Sequence, residues 1–314
     1  MGGQKTVRVF STNKKAVWAD NLTSGGANLT TWGAKVDQGL TLHGATVLSA
    51  MGKYYAAEAQ SLGADCAHVT AYADFGKTRR DIDTAHAFLG GMLPLSCNVS
   101  RVVHSADIQN QTKFLFNQGG NPFGACILPS QAIVDGSLGG NASKYVQAEH
   151  RKIDAVSDAL QCCQPSLCAN HHATRGGSGA GCTLMQSPAP KWNPVAFWSL
   201  YSGPLAIASN LGEWIQMMYL NNLDVSGLVG EAIGEDASAI SGLTEAHQAN
   251  MDITDASLWT ARSFSSDLLA HIVATIEQLF ADDPSAAANG LVSKSTDKVH
   301  IWIPVVNSLS NLCC

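Results

Sequence analysis

Residues 79–89 read RRDIDTAHAFL, a segment whose apolar residues recur at helical spacing. The apolar positions are Ile82, Ala85, Phe88 and Leu89. This pattern predicts a helix from Asp81 to Met92 that buries one face. Strand-like segments rich in β-formers flank it at His68 to Ala73 and at Ser100 to His104. A strand, a helix and a second strand in this order predict a βαβ unit.

A second helix is predicted upstream, between Thr41 and Gly63. A threonine hydroxyl is a good cap for a helix start, and glycine favours the backbone conformation that ends a helix. Apolar residues recur between these two positions at Val47, Leu48, Met51, Tyr54, Tyr55 and Ala59. Still further upstream, the short β-rich segment Val7 to Ser11 predicts an opening strand.

The middle of the chain differs in character from the ends. Its strongest helical stretches are Tyr145 to Leu160 and Ala196 to Leu220, separated by clusters of Gly, Pro and Asn. A final helix, Ser257 to Phe280, precedes a strand at Val299 to Ile303. We therefore predict an α/β fold with a central, mostly parallel sheet flanked by helices and an inserted, mainly helical cap. The α/β domain comprises residues 1–107 and 255–314, and the cap comprises residues 108–254.

Composition excludes several classes of partner. The 314 residues are 46% hydrophobic and 14% charged, which suits one large core or two smaller ones. The net charge of −6 argues against nucleic acid or an anionic membrane as the main partner. Adjacent His171 and His172 are too few for a metal site, and we expect neither a metal nor another cofactor.

Several motifs together resemble the histidine acid phosphatase family, including its phytase-like and glucose-1-phosphatase-like members. The motifs are LTLHG at 40–44, GADC at 63–66, YAD at 72–74, RRDIDTAHAFL at 79–89, Pro94, Cys97 and FLFN at 114–117. The resemblance implies the α/β fold with a helical cap and a phosphomonoesterase ancestry.

The residues that carry the family's chemistry are missing from this sequence. The resemblance implies a nucleophilic histidine within Ser11 to Val17, at Asn13, but that segment has neither histidine nor arginine. The family's second motif, a His-Asp pair that protonates the leaving alcohol, falls on Val305 and Val306. Conventional phosphatase activity is therefore not expected.

A fragment of an anion site remains. The resemblance makes Arg80 a phosphate-binding arginine, while Lys14 and Lys15 carry charge near the altered motif. His43 and His104 are further candidates for the same pocket. The alternative is structural: Arg80 stabilises its own helix, the lysines lie in a solvated loop, and both histidines serve packing.

The nine cysteines predict disulfides and hence an oxidising compartment. The resemblance implies the pairs Cys66 with Cys97 and Cys168 with Cys182. The odd count leaves at least one thiol free or bonded to another molecule. The pairing stays open for Cys126, Cys162, Cys163, Cys313 and Cys314.

Three functions are compatible with these residues. The first is a secreted or periplasmic pseudo-phosphatase, in mature form, that binds a phosphorylated or other small anion. The second is an active hydrolase, either a residual acid phosphatase or phytase or a new activity in the old cleft. The third is a structural protein that self-associates through the strand edge near Val299 to Val306.

Overall fold

A computed structural model describes residues 39–67, 69, 71–72, 80–99, 103–104, 130–162, 183–186, 189–196, 199–255 and 273. The predicted strands Val7 to Ser11 and Val299 to Ile303 lie outside these residues. Of the predicted helix Ser257 to Phe280, only Val273 is described, and it is helical. The described residues belong to two compact units, one with residues 39–104 and 273 and one with residues 130–255. No described helix is both long and apolar enough to span a bilayer.

Helix α1 of the first unit, Leu42–Ser61, has the predicted ends. The Thr41 backbone is extended and its Oγ1 accepts a hydrogen bond of 2.9 Å from the Gly44 amide. At the other end, Gly63 has φ of +85°, a conformation that favours glycine. The Ala64 amide then donates to the Ala59 carbonyl at 2.9 Å and closes the last turn.

The predicted βαβ unit is present and its strands are parallel. Strand β1, Ala71–Tyr72, is followed by α2, Arg80–Met92, and then by β2, Val103–His104. Ala71 pairs with Val103 and Tyr72 with His104. The predicted apolar face of α2 is buried, and its members Ile82, Ala85, Phe88 and Leu89 are all in the core.

Helices α1 and α2 approach each other closely at two glycines. A Cβ atom on Gly52 would collide with the Phe88 carbonyl oxygen, and one on Gly91 would collide with the Ser49 carbonyl oxygen. The predicted disulfide Cys66–Cys97 is confirmed and joins the segments that follow the two helices, with its Cα atoms 5.5 Å apart. Close packing and a covalent bond thus act on the same helix pair.

The second unit is mainly helical. Its elements are α3 Gln131–Ser137, α4 Ala142–Ala148, α5 His150–Ala159, a 3₁₀ turn Leu184–Gln186, β3 Lys191–Ala196, β4 Ser199–Ser202, α6 Pro204–Leu220, α7 Ser226–Val229, α8 Glu231–Gly234, α9 Ala237–Leu243 and α10 Glu245–Asp255. Helix α6 packs against α10, α9 and α5. Its buried side chains recur every three or four residues at Leu205, Ala208, Leu211, Ile215 and Met218, so one face of α6 forms much of this core.

Two helix predictions in this unit need correction. The stretch Tyr145 to Leu160 is helical but forms two helices that meet at Glu149, which ends α4 and begins α5. The stretch Ala196 to Leu220 is helical only from Pro204, because Gly203 has φ of +132° and cannot continue a helix. Of the described residues before it, Lys191–Ala196 and Ser199–Ser202 form the antiparallel strand pair β3–β4, called the hairpin below.

The described residues support the α/β class but do not include the whole predicted sheet. The described residues are mostly helical and hold a parallel strand pair and a hairpin. A larger central parallel sheet stays a prediction, as do the domain boundaries.

Candidate functional site

Two of the predicted site residues belong to the β1–α2–β2 unit. Arg80 is the first residue of α2, the helix that follows β1, and His104 is the last residue of β2. Because β1 and β2 are parallel, their carboxyl ends share an edge. In α/β proteins this edge is where ligands bind.

The start of α2 combines a partly exposed cation with the positive end of a helix. Arg80 is half-buried, and unpaired backbone amides give the first turn of a helix a partial positive charge. Asp83 lies three residues further on, and both Arg80 and Asp83 interact with other groups of the protein. The alternative in which Arg80 stabilises its own helix therefore stays open beside anion binding.

The structure describes less about the other predicted site residues. His43 is half-buried in the first turn of α1 and also interacts with another group. Lys14 and Lys15 lie outside the described residues, as do Asn13, Val305 and Val306. Their roles stay predictions.

The cysteine predictions are partly tested. Beside Cys66–Cys97, Cys162 is disulfide-bonded. The predicted pair Cys168–Cys182 lies outside the described residues. At least two disulfides support an oxidising compartment.

A groove on the second unit was not predicted. It has a volume of about 510 Å³ and is lined by Gln147, His150, Asp154, Asp158, Thr183, Met185 and Gln186. His150, Asp154 and Asp158 are spaced by four residues along α5, a periodicity that could have indicated a shared face. The described residues hold no group of three potential ligands arranged for a metal ion. The carboxylates of Asp154 and Asp158 make the groove along α5 unsuited to an anion.

A second polar cluster joins α6 to α10. His247 Nδ1 lies 3.0 Å from Ser209 Oγ and 3.7 Å from Glu213 Oε2. Serine, histidine and glutamate together suggest nucleophilic catalysis, but Ser209 is only 1% exposed and a substrate cannot reach it. The cluster therefore links two helices.

Solved structures similar to this chain are bacterial phytases. A phytase from Hafnia alvei in complex with tartrate matches with a TM-score of 0.63 and 19% identity, over 86% of this chain and 63% of that chain. One from Citrobacter braakii matches with a TM-score of 0.60 and 21% identity, over 78% of this chain and 58% of that one. This chain has a phytase-like fold. A phytase from Klebsiella sp. ASR1 gives a TM-score of 0.55 and 20% identity, over 88% and 64%.

The phytase-like fold supports the resemblance to histidine acid phosphatases that the motifs indicate. No protein-family model matches the sequence, and no curated protein matches it significantly. The phytase-like chain spans about 63% of the length of the Hafnia alvei phytase. Identities near 20% establish a common fold and leave activity to be argued from the residues.

Proposed function

We propose that this phytase-like protein binds a small anion, phosphorylated or otherwise, without hydrolysing it. The binding site is the edge of the β1–α2–β2 unit where Arg80 begins α2. One contrast carries the proposal. Arg80 is the first residue of α2 in a phytase-like fold, whereas the segment Ser11 to Val17 has no histidine and no arginine.

The missing residues block both halves of histidine-dependent phosphoryl transfer. That reaction needs an imidazole to attack phosphorus and an acid to protonate the leaving alcohol. At the corresponding positions, the amide of Asn13 is a poor nucleophile, and Val305 and Val306 carry no proton to donate. The first step therefore has no nucleophile, and the leaving group has no acid.

Binding does not need these residues. The guanidinium of Arg80 can donate two parallel hydrogen bonds to phosphoryl oxygens, and the amides at the start of α2 favour negative charge. Lys14 and Lys15 add positive charge but not the forked geometry of arginine. His43 and His104 complete the proposed ligand-binding set.

The first test is enzymatic. We expect the purified protein to release no phosphate from p-nitrophenyl phosphate or phytate at acidic pH above the rate without protein. Turnover that vanadate inhibits and that Arg80→Ala abolishes would refute the proposal.

The second test is phosphate binding by calorimetry. We expect Arg80→Ala to weaken binding by roughly tenfold or more, the loss expected for a charge-assisted contact. Arg151→Ala is the matched control, because Arg151 is an exposed arginine on α5 in the other unit. Equal weakening by both variants would reduce the binding to general charge attraction.

The compartment follows from the cysteines. We infer that the protein is secreted or periplasmic, because the Cys66–Cys97 bond and the disulfide of Cys162 form in oxidising surroundings. Fractionation of cells that produce the protein, with thiol labelling of each fraction, tests this. Accumulation of the fully reduced protein in the cytoplasm contradicts the inference.

A further inference from the structure

Helix α1 exposes a row of apolar side chains beside the face that packs against α2. This stripe consists of Val47, Met51, Tyr54 and Tyr55 and of Leu62 just after the helix end. Their exposed fractions are 45%, 46%, 80%, 43% and 64%, respectively. Gly52 and Ala59, on the neighbouring face of α1, are buried. Because a helix turns about 100° per residue, the stripe residues share one face.

The stripe is similar in size to the largest apolar patch of a typical monomer. Its exposed area is roughly 500 Å², since a full aromatic side chain contributes about 150–250 Å². The largest apolar patch on a typical monomer is about 300–600 Å² and often marks a binding surface. Two such stripes in contact would bury about 1,000 Å², which is the lower limit for a specific interface.

We propose that α1 is a self-association surface, through which two copies of the chain pair by their stripes. The centre of the stripe is preorganised for such a contact. The rings of Tyr54 and Tyr55 stack edge to face with centroids 5.0 Å apart, and Tyr55 also lies 6.4 Å from the core residue Phe88. An exposed aromatic held by a buried neighbour loses little side-chain entropy when it binds.

Glu58, the single acidic residue of this face, sets the relative orientation of the two paired α1 helices. Glu58 is exposed on the same face of α1 as Met51 and Tyr54. Parallel pairing would bring two Glu58 carboxylates together, which is unfavourable. Antiparallel pairing about a two-fold axis between Met51 and Tyr54 separates the carboxylates. It also places each Met51 thioether against the partner's Tyr54 ring, a favourable sulfur–aromatic contact.

Sedimentation velocity of the full chain tests this surface. We expect the average mass to rise from 33.0 kDa towards twice that value between roughly 1 and 100 µM, the range suited to an interface of this size. We expect Tyr54→Arg to weaken association by roughly tenfold or more. Leu220→Arg is the matched control, because Leu220 is 57% exposed but lies on α6 in the other unit.

Further measurements separate this surface from other causes of dimerisation. Non-reducing gels identify dimers that arise from an unpaired cysteine, and unchanged circular dichroism shows that the variants fold. A protein that stays monomeric over the whole range, or a dimer that Tyr54→Arg does not weaken, overturns the proposal. Glu58→Gln should change the dissociation constant by less than about threefold. A much larger gain in affinity would indicate parallel pairing and overturn the antiparallel arrangement.

Discussion

The hydroxyl of Tyr201 donates a hydrogen bond of 2.6 Å to Asp135 Oδ1, linking β4 to α3. Burial raises the pKa of Tyr201, and the hydrogen bond to Asp135 raises it further. Asp135 Oδ1 also accepts a bond of 3.3 Å from the Ala142 amide at the start of α4. The Trp192 ring packs against the Tyr201 ring at 5.1 Å. The Tyr201–Asp135 hydrogen bond therefore fixes the β3–β4 hairpin to α3 and α4, the first two helices of its unit.

Loss of the Tyr201 hydroxyl should destabilise the second unit. We expect Tyr201→Phe to lower the free energy of unfolding by about 1–3 kcal/mol, because a hydrogen bond to a charged acceptor is lost. Tyr54→Phe serves as the control, since Tyr54 is 80% exposed. Urea titrations of both variants provide the comparison. Equal stability of Tyr201→Phe and the unmodified protein would show that water replaces the hydroxyl without loss.

Adjacent glycines in α2 should respond in opposite directions to alanine. Gly91→Ala should cost about 1–3 kcal/mol, because the new Cβ meets the Ser49 carbonyl oxygen. Gly90→Ala should stabilise by about 0.5–1 kcal/mol, since no atom lies within 4 Å and alanine favours the helix. Melting temperatures measured under one set of conditions test the contrast. Two shifts of the same sign would contradict the close approach of α1 and α2.

Removal of the Cys66–Cys97 disulfide should weaken the first unit. The bond joins residues 31 positions apart. For a loop of that length, the chain-entropy model gives a stabilisation of roughly 3–4 kcal/mol. We expect the double variant Cys66→Ser/Cys97→Ser to unfold at lower urea concentration. A reducing agent should lower the urea midpoint of the unmodified protein more than that of this variant. An equal decrease in both would show that other disulfides cause the decrease.

Alkaline pH should destabilise the second unit through Tyr145. Its hydroxyl donates to the Ala249 carbonyl at 3.0 Å, and burial, with Glu149 and Asp252 adding to it, raises the pKa of Tyr145 to about 12. The ordinary tyrosine pKa is 10.0, so the unfolded chain loses this proton first. The resulting stabilisation is complete below about pH 10 and is lost as the pH rises through about 12.

The measurement compares urea midpoints at about pH 8 and about pH 11. Tyr145→Phe should be less stable than the unmodified protein at the lower pH but should lose less on going to the higher pH. The hydrogen bond to Glu149 raises the pKa of Lys152 and acts in the same direction, so some alkaline loss will remain in the variant. An identical alkaline loss in both proteins would exclude Tyr145 as its source.

Sequence patterns predicted the first unit well because the signals there are local. Thr41 and Gly63 bound α1 as expected, and the spacing of Ile82, Ala85 and Leu89 identified the buried face of α2. The second unit was predicted less well. The predicted helix began at Ala196, whereas Gly203, with its positive φ, and Pro204 mark the actual start of α6.

The candidate site was only partly accessible to prediction. Motifs selected Arg80 and His104, and the parallel register of Tyr72 with His104 puts His104 at the same strand edge as the end of β1, the strand that α2 follows. The groove along α5 escaped prediction because Thr183 and Gln186 join it from a segment distant in the sequence.

The sequence alone determined the features set by covalent chemistry and by neighbouring residues. These are the helix ends at Thr41 and Gly63 and the absence of histidine from the segment Ser11 to Val17. The Cys66–Cys97 pairing was predicted from the family resemblance. Tertiary structure decided which surfaces are buried and which stay exposed. The Gly91 contact, the Tyr201–Asp135 bond and the α1 stripe each depend on whether distant segments pack against a residue, and no local pattern encodes that.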